Sequence, residues 1–101
     1  MGTRATIKFK DGYDEFYVYR GHDGYPENVL PDLQIAIDNF KQGNFGHAEC
    51  SLLVTKFLGI HFDINKRCPY YEITGAFHGD ESYRYSVEWD ATTKEWVSSV
   101  I

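Results

Sequence analysis

Apolar residues recur at every second position near both ends of this chain and at every third or fourth position between them, and few folds accommodate that switch of period. Thr3 to Phe9 sets Thr3, Ala5, Ile7 and Phe9 against Arg4, Thr6 and Lys8, the alternation of a strand with one buried face. Asp11-Gly12 reads as a tight turn with positive φ values, and Glu15 to Arg20 alternates again, so the N-terminal segment is expected to be a β-hairpin. Leu33, Ala36, Ile37 and Phe40 then follow a helical spacing, with Pro31 suited to a first helical position, which predicts a helix from about Leu30 to Lys41. Gly43-Asn44-Phe45-Gly46 breaks it. Ala48, Leu52, Leu53, Val54, Phe57 and Leu58 predict a second helix ending near Gly59.

From Pro69 the period of two returns. Tyr71, Ile73, Gly75 and Phe77 share one face, His78-Gly79-Asp80-Glu81 turns, and Tyr83, Tyr85, Val87 and Trp89 share the next. Asp90 to Lys94 turns once more before a last strand over Glu95 to Ile101. The order is therefore ββααβββ, an α+β fold with an antiparallel β-sheet and two helices packed on one face. At 101 residues the chain is expected to be a single domain.

Assigning the more apolar strand positions to the helices places Ala5, Ile7, Phe9, Phe16, Val18, Ile73, Phe77, Tyr83, Tyr85, Val87 and Trp89 inside. The opposite face then carries Arg4, Lys8, Tyr17, Tyr19, Tyr70, Glu72, Arg84 and Glu88. This is either a solvated face with cross-strand charge pairs or a contact surface for a homodimer, formed by Arg4, Lys8, Tyr17, Tyr19, Tyr70 and Arg84. Edge-strand pairing is a second route to self-association.

Charge narrows the partners. Fifteen acidic against ten basic residues give a net charge of -5, which argues against general nucleic-acid binding, since that needs a basic surface to displace counterions. Cys50 and Cys68 form no closely spaced pair and read as reduced thiols. The N-terminal segment lacks an apolar signal core and no long apolar run follows, so a cytoplasmic protein is expected.

The segment YRGHDGYPEN, Tyr19 to Asn28, concentrates the chemistry. Arg20 offers a planar fork of donors for phosphate or carboxylate, a following helix start would add backbone N–H groups, and His22, Asp23, Tyr25 and Glu27 complete a candidate ligand-binding set. The same residues also make good turn chemistry: Asp23-Gly24 and Tyr25-Pro26 turn, Asn28 or Asp23 can cap, and Arg20 can neutralise Asp23 or Glu27. The segment is therefore read as a strand-to-helix connector with binding as its second role. His22 beside Asp23 suggests a base with an orienting carboxylate, yet no nucleophile motif or P-loop accompanies them. His47, Cys50, His61, Asp63 and Cys68 match no zinc spacing, so no metal and no cofactor are expected.

MGTRATIKF followed by YRGHDGYPENV resembles a group of small, mostly uncharacterised phage and bacterial proteins that begin Met-Gly-Thr-Arg. These carry Tyr-Arg-x-x-Asp-Gly-Tyr-Pro after the first hairpin, matched here by Tyr19, Arg20, Asp23, Gly24, Tyr25 and Pro26. The resemblance covers roughly the first third of the chain, with RYSVEWD at Arg84 to Asp90 a weaker echo, and Gly21-His22 departs from the bulkier residues of the group. It implies no activity. It implies an accessory or host-takeover factor, acting by binding a host protein or a small anionic, nucleotide-like ligand in the bacterial cytoplasm and counteracting a host system. The alternatives are a phosphate-ester hydrolase or transferase using His22, Asp23 and Arg20, and a self-associating structural domain.

Overall fold

Strand-forming alternation at both ends and two amphipathic runs between them produce β1 (Ala5–Lys10), β2 (Glu15–Arg20), α1 (Pro26–Gln42), α2 (Cys50–His61), β3 (Tyr71–Thr74), β4 (Tyr83–Asp90) and β5 (Glu95–Val100). The computed structural model describes residues 2–42, 49–62 and 70–101. The expected break at Gly43-Asn44-Phe45-Gly46, together with His47, Ala48, Asp63, Cys68 and Pro69, lies outside the described residues.

The five strands form one sheet in the order β3-β2-β1-β4-β5, with both helices on one face. Ala5, Ile7, Phe9, Val18, Tyr85 and Val87 meet Val29, Leu33, Ala36, Ile37 and Phe40 of α1 and Cys50, Leu53, Val54 and Phe57 of α2 in a single apolar core. The helical contributions fall at spacings of three and four, which keeps one stripe of each helix on the sheet. Among the described residues no helix is long and apolar enough to cross a membrane.

Three of the expectations need amending. The sheet is mixed: β1–β2, β2–β3 and β4–β5 are antiparallel, but β1 runs parallel to β4. The cause is the connection after β3, which leaves one edge, passes β2 and β1 without pairing, and delivers β4 on the far side of β1 in the same direction. Second, β3 stops at Thr74, so Ile73 lies on the core-side face of the edge strand yet is 65% exposed, and Phe77 belongs to the connection rather than to the core. Third, the first turn contains no left-handed residue. Four residues span it, and the Asp11 carboxylate makes the turn by accepting the N–H groups of Tyr13 and Asp14 through Oδ1 at 2.7 and 2.8 Å.

The connection at 75–82 crosses the sheet face opposite the helices, over the tyrosines expected to be open. His78 stacks on Tyr19 with ring centroids 3.7 Å apart, and Phe77 meets Tyr17 edge-on at 5.2 Å. Asp80 pairs with Arg4 at 3.2 Å, while Glu81, its side chain fully buried, accepts from Arg84 Nε at 2.7 Å and from Thr6 Oγ1 at 3.2 Å. Burial pushes the Glu81 carboxyl upward, but the donors from Arg84, Gly79 and Thr6 outweigh it and hold the group below its ordinary value. The Tyr17/Tyr19 surface is thus covered by the chain itself.

Asp11 also carries a tertiary cap. Its Oδ2 accepts the Cys50 N–H at 2.8 Å, so a residue of the first hairpin satisfies the free N-terminus of α2, whose own N-cap residue Glu49 makes no side-chain cap. Burial raises the Asp11 carboxyl, but the N–H groups of Asp14, Cys50 and Tyr13 outweigh it and leave the value lowered. A carboxyl lowered by folding contributes stability that is complete above its unfolded value, 3.8, and disappears as pH falls through the folded one. Asp11→Ala should cost about 1–2 kcal/mol at neutral pH, and urea midpoints measured from pH 7 down to 2 should converge with those of the wild type at the acid end.

Candidate functional site

The segment taken from the sequence as a ten-residue loop divides among three elements. Tyr19 and Arg20 end β2, and Pro26, Glu27 and Asn28 begin α1, four residues earlier than the sequence suggests. Pro26 needs no N–H acceptor at a helix start and brings the right φ, while the Tyr25 carbonyl takes the N–H groups of Asn28 and Val29 at 2.9 and 3.0 Å. Only Gly21 to Tyr25 remain as the connector. Asp23 adopts φ 54°, a left-handed conformation that Asp tolerates better than most residues, and its carbonyl accepts Asn28 Nδ2 at 3.0 Å.

Gly24 pins the connector to the sheet. Its N–H donates to the Thr3 carbonyl at 2.8 Å and its carbonyl accepts the Tyr85 hydroxyl at 2.6 Å. A Cβ at this position would lie 2.6 Å from the Ala5 Cβ and 3.0 Å from the Thr3 oxygen, so the backbones approach as closely as only glycine permits.

Arg20 turns under the helices. It is 6% exposed; Nε donates to the His22 carbonyl at 2.7 Å, and Nη1 donates to the Tyr71 hydroxyl at 2.8 Å and to Asp32 Oδ2 at 3.4 Å. Its guanidinium carbon also lies 4.8 and 5.1 Å from the ring centroids of Tyr70 and Tyr71. The Tyr71 hydroxyl in turn donates a hydrogen bond to Asp32 Oδ2 at 2.7 Å, and His61 Nε2 lies 2.9 Å from the Asp32 carbonyl, which fixes the hydrogen on that nitrogen because a carbonyl only accepts. Burial first, then the bond and charge of Asp32, push the Tyr71 phenol well above its ordinary value against the opposing pull of Arg20. Tyr71 is therefore a neutral donor.

This cluster floors a cleft of about 500 Å³ between the start of α1, the end of α2 and the start of β3. Glu27, Asn28, Pro31 and Asp32 form one wall, Ile60, His61 and Phe62 the other, and Arg20, Tyr70 and Tyr71 the base. Ile60 and Phe62 are exposed at the rim. Pro31 has no N–H, so the Glu27 carbonyl lacks the donor that would normally close its helical turn. Glu27 and Asp32 put two carboxylate side chains on the wall formed by α1.

Of the residues singled out in the sequence, Arg20 and Glu27 line the cleft and His22 packs beside it, its ring 5.0 Å from Tyr70. Asp23 is exposed and outside it, and Tyr25 instead meets Tyr83 edge-on at 6.1 Å. Arg20 pairs with Asp32, not with Asp23 or Glu27 as turn chemistry suggested. Tyr70 belongs to the cleft rather than to the tyrosine face, and Lys8 pairs with Glu15 at 3.7 Å. Asp32, Tyr71 and the role of His61 were missed. Asp32 did leave a signal: it is a charged residue three after Val29 and four before Ala36, bordering the buried stripe of α1. Among the described residues no group of three His, Cys, Asp or Glu side chains is placed to hold a metal ion. Cys50 is buried, and desolvation, then the charges of Asp11 and Asp14, push its thiol up to about 12.

Comparison with protein-family models, curated proteins and solved structures finds no match to this chain.

Proposed function

We propose that the protein is a non-enzymatic cytoplasmic binding module, and that its cleft receives a cationic side chain from a partner protein. The observation that carries this reading is the charge pattern of the cleft. Arg20 in the floor is opposed by Asp32 of the α1 wall, leaving Glu27 as the exposed charge that lines the cleft. An anion is poorly served there, because Pro26 supplies no N–H, Tyr25 takes those of Asn28 and Val29, and Glu27 occupies the first turn. Ile60 and Phe62 suit the apolar stem of a lysine or arginine, and the net charge of -5 favours encounter with a basic surface. The resemblance of the N-terminal third to phage proteins adds a host protein as the source of that partner and rests on those motifs alone.

The separation of the proposed catalytic trio supports binding over turnover. The Arg20 Nε is engaged by the His22 carbonyl, the His22 ring packs on Tyr70, and Asp23 is turned to solvent. Amide shifts measured during titration with arginine ethyl ester and, separately, inorganic phosphate and AMP test the reading. The arginine probe should move Glu27, Asp32 and His61, and Glu27→Lys, on an exposed position, should weaken that binding at least about tenfold. Saturable binding of phosphate or AMP in the cleft without any response to arginine would transfer the site to anionic ligands.

A further inference from the structure

Among the described residues the sheet ends on one side in β5, a six-residue edge strand that pairs with β4 without a bulge. From Trp96 to Val100 it carries neither a charged side chain nor a proline, although charges, prolines and bulges are the usual devices that keep an edge from pairing. Val97 and Val100 are 48% and 44% exposed, one on each face, and Ile101 is exposed beyond them. The opposite edge, β3, is only four residues long and carries Glu72.

The hydrogen-bond phase decides which groups are free to pair. Ile101 N–H donates to the Arg84 carbonyl at 2.8 Å, and in an antiparallel pair the inward-facing residues alternate along the strand. Ser99 and Val97 therefore also point their N–H and C=O groups at β4, while Trp96, Ser98 and Val100 point theirs away from the sheet. We infer that the protein forms a two-fold symmetric dimer by antiparallel pairing of β5 with β5 of a second copy, centred on Ser98.

That register is the one that uses every outward group. Ser98 exchanges both bonds with the Ser98 of the second copy, and Trp96 exchanges both with Val100, which makes six bonds in a closed pair. A two-fold axis normal to the sheet keeps the helices of both copies on one side. Val100 then covers the edge of Trp96 on the helix side, and Val97 lies opposite Ser99 on the other. Within the bonded span from Trp96 to Val100 no side-chain charge opposes a like charge. The cleft lies against β2 and β3 at the far side of the sheet, so the dimer leaves it open.

Sedimentation equilibrium from about 1 µM to 1 mM, the range of modest protein associations, should show monomer passing to dimer. Over the same range amide hydrogen exchange should slow at Trp96, Ser98 and Val100, while Val97 and Ser99 are protected at every concentration. Ser98→Pro removes an outward donor and no β4–β5 bond, so it should leave the circular dichroism unchanged and weaken the dimer at least tenfold. Ser98→Asp opposes two carboxylates across the axis and should weaken the dimer equally at pH 7, with association returning near pH 3 as they protonate. A monomer at every concentration overturns the inference. So does a dimer that both variants leave intact, or growth into larger assemblies, which a closed two-fold pair forbids.

Discussion

Gly24→Ala should destabilise the protein by about 3 kcal/mol, at the upper end of overpacking costs, although it adds one methyl group to a connector. The added Cβ would meet Ala5 Cβ at 2.6 Å, the Thr3 oxygen at 3.0 Å and the Ala5 nitrogen at 3.1 Å. Neither side has room to yield. Ala5 is fully buried and paired to both β2 and β4, and Gly24 is held through its N–H by Thr3 and through its carbonyl by Tyr85. Urea unfolding measures the loss, and Ala5→Gly in the same chain should restore part of it by removing the closest contact. A Gly24→Ala variant within about 0.5 kcal/mol of the wild type, the scatter of ordinary surface substitutions, would mean the connector does not dock on β1. Tyr85 reports the same contact from the other side. Its burial, followed by the charge of Tyr83, pushes the phenol up to about 12 from 10.0. The stability its proton carries is complete below pH 10 and is lost as pH rises from there toward that folded value.

Arg20→Ala should cost a similar amount, about 3 kcal/mol, because it leaves the Asp32 carboxylate without its cation and empties the space between Tyr70 and Tyr71. Asp32→Ala should cost nearly as much by stranding the Arg20 guanidinium and the Tyr71 hydroxyl. The two losses should not add: Arg20→Ala with Asp32→Ala should retain more stability than the sum of those single changes predicts, with a coupling of about 1–3 kcal/mol in a double-mutant cycle. Strict additivity would count against the pair as a structural unit. This also changes how a binding experiment is designed. Loss of binding in Arg20→Ala would report a damaged fold as readily as a lost contact, whereas Glu27, exposed on the cleft wall, probes the ligand alone.

Tyr-Arg-x-x-Asp-Gly-Tyr-Pro looked from the sequence like the place where chemistry gathers, and most of it turns out to build the junction between β2 and α1. Gly24 makes a close approach, Asp23 a left-handed bend, Pro26 a helix start, and Arg20 a buried ion pair. The residues that open onto the cleft beside it come from three further places in the chain.

Periodicity alone determined all seven elements and their order, the bounds of β2, and most of the core, because burial of one face imposes its repeat on the local sequence whatever the element packs against. It also placed Tyr85 inside by alternation. Three things depended on the assembled tertiary structure. The direction of β4 beside β1 was decided by where the connection at 75–82 crosses, and that crossing covered Tyr19 and left Ile73 at an open edge. The partner of Arg20 was decided by how α1 lies on β2, which brought Asp32 closer than the nearby carboxylates of Asp23 and Glu27. The cap of α2 came from Asp11 across the core, thirty-nine residues away. Each is a contact between elements distant in sequence, where a side chain's partner is set by the packing of backbones and leaves little trace in the spacing of its neighbours.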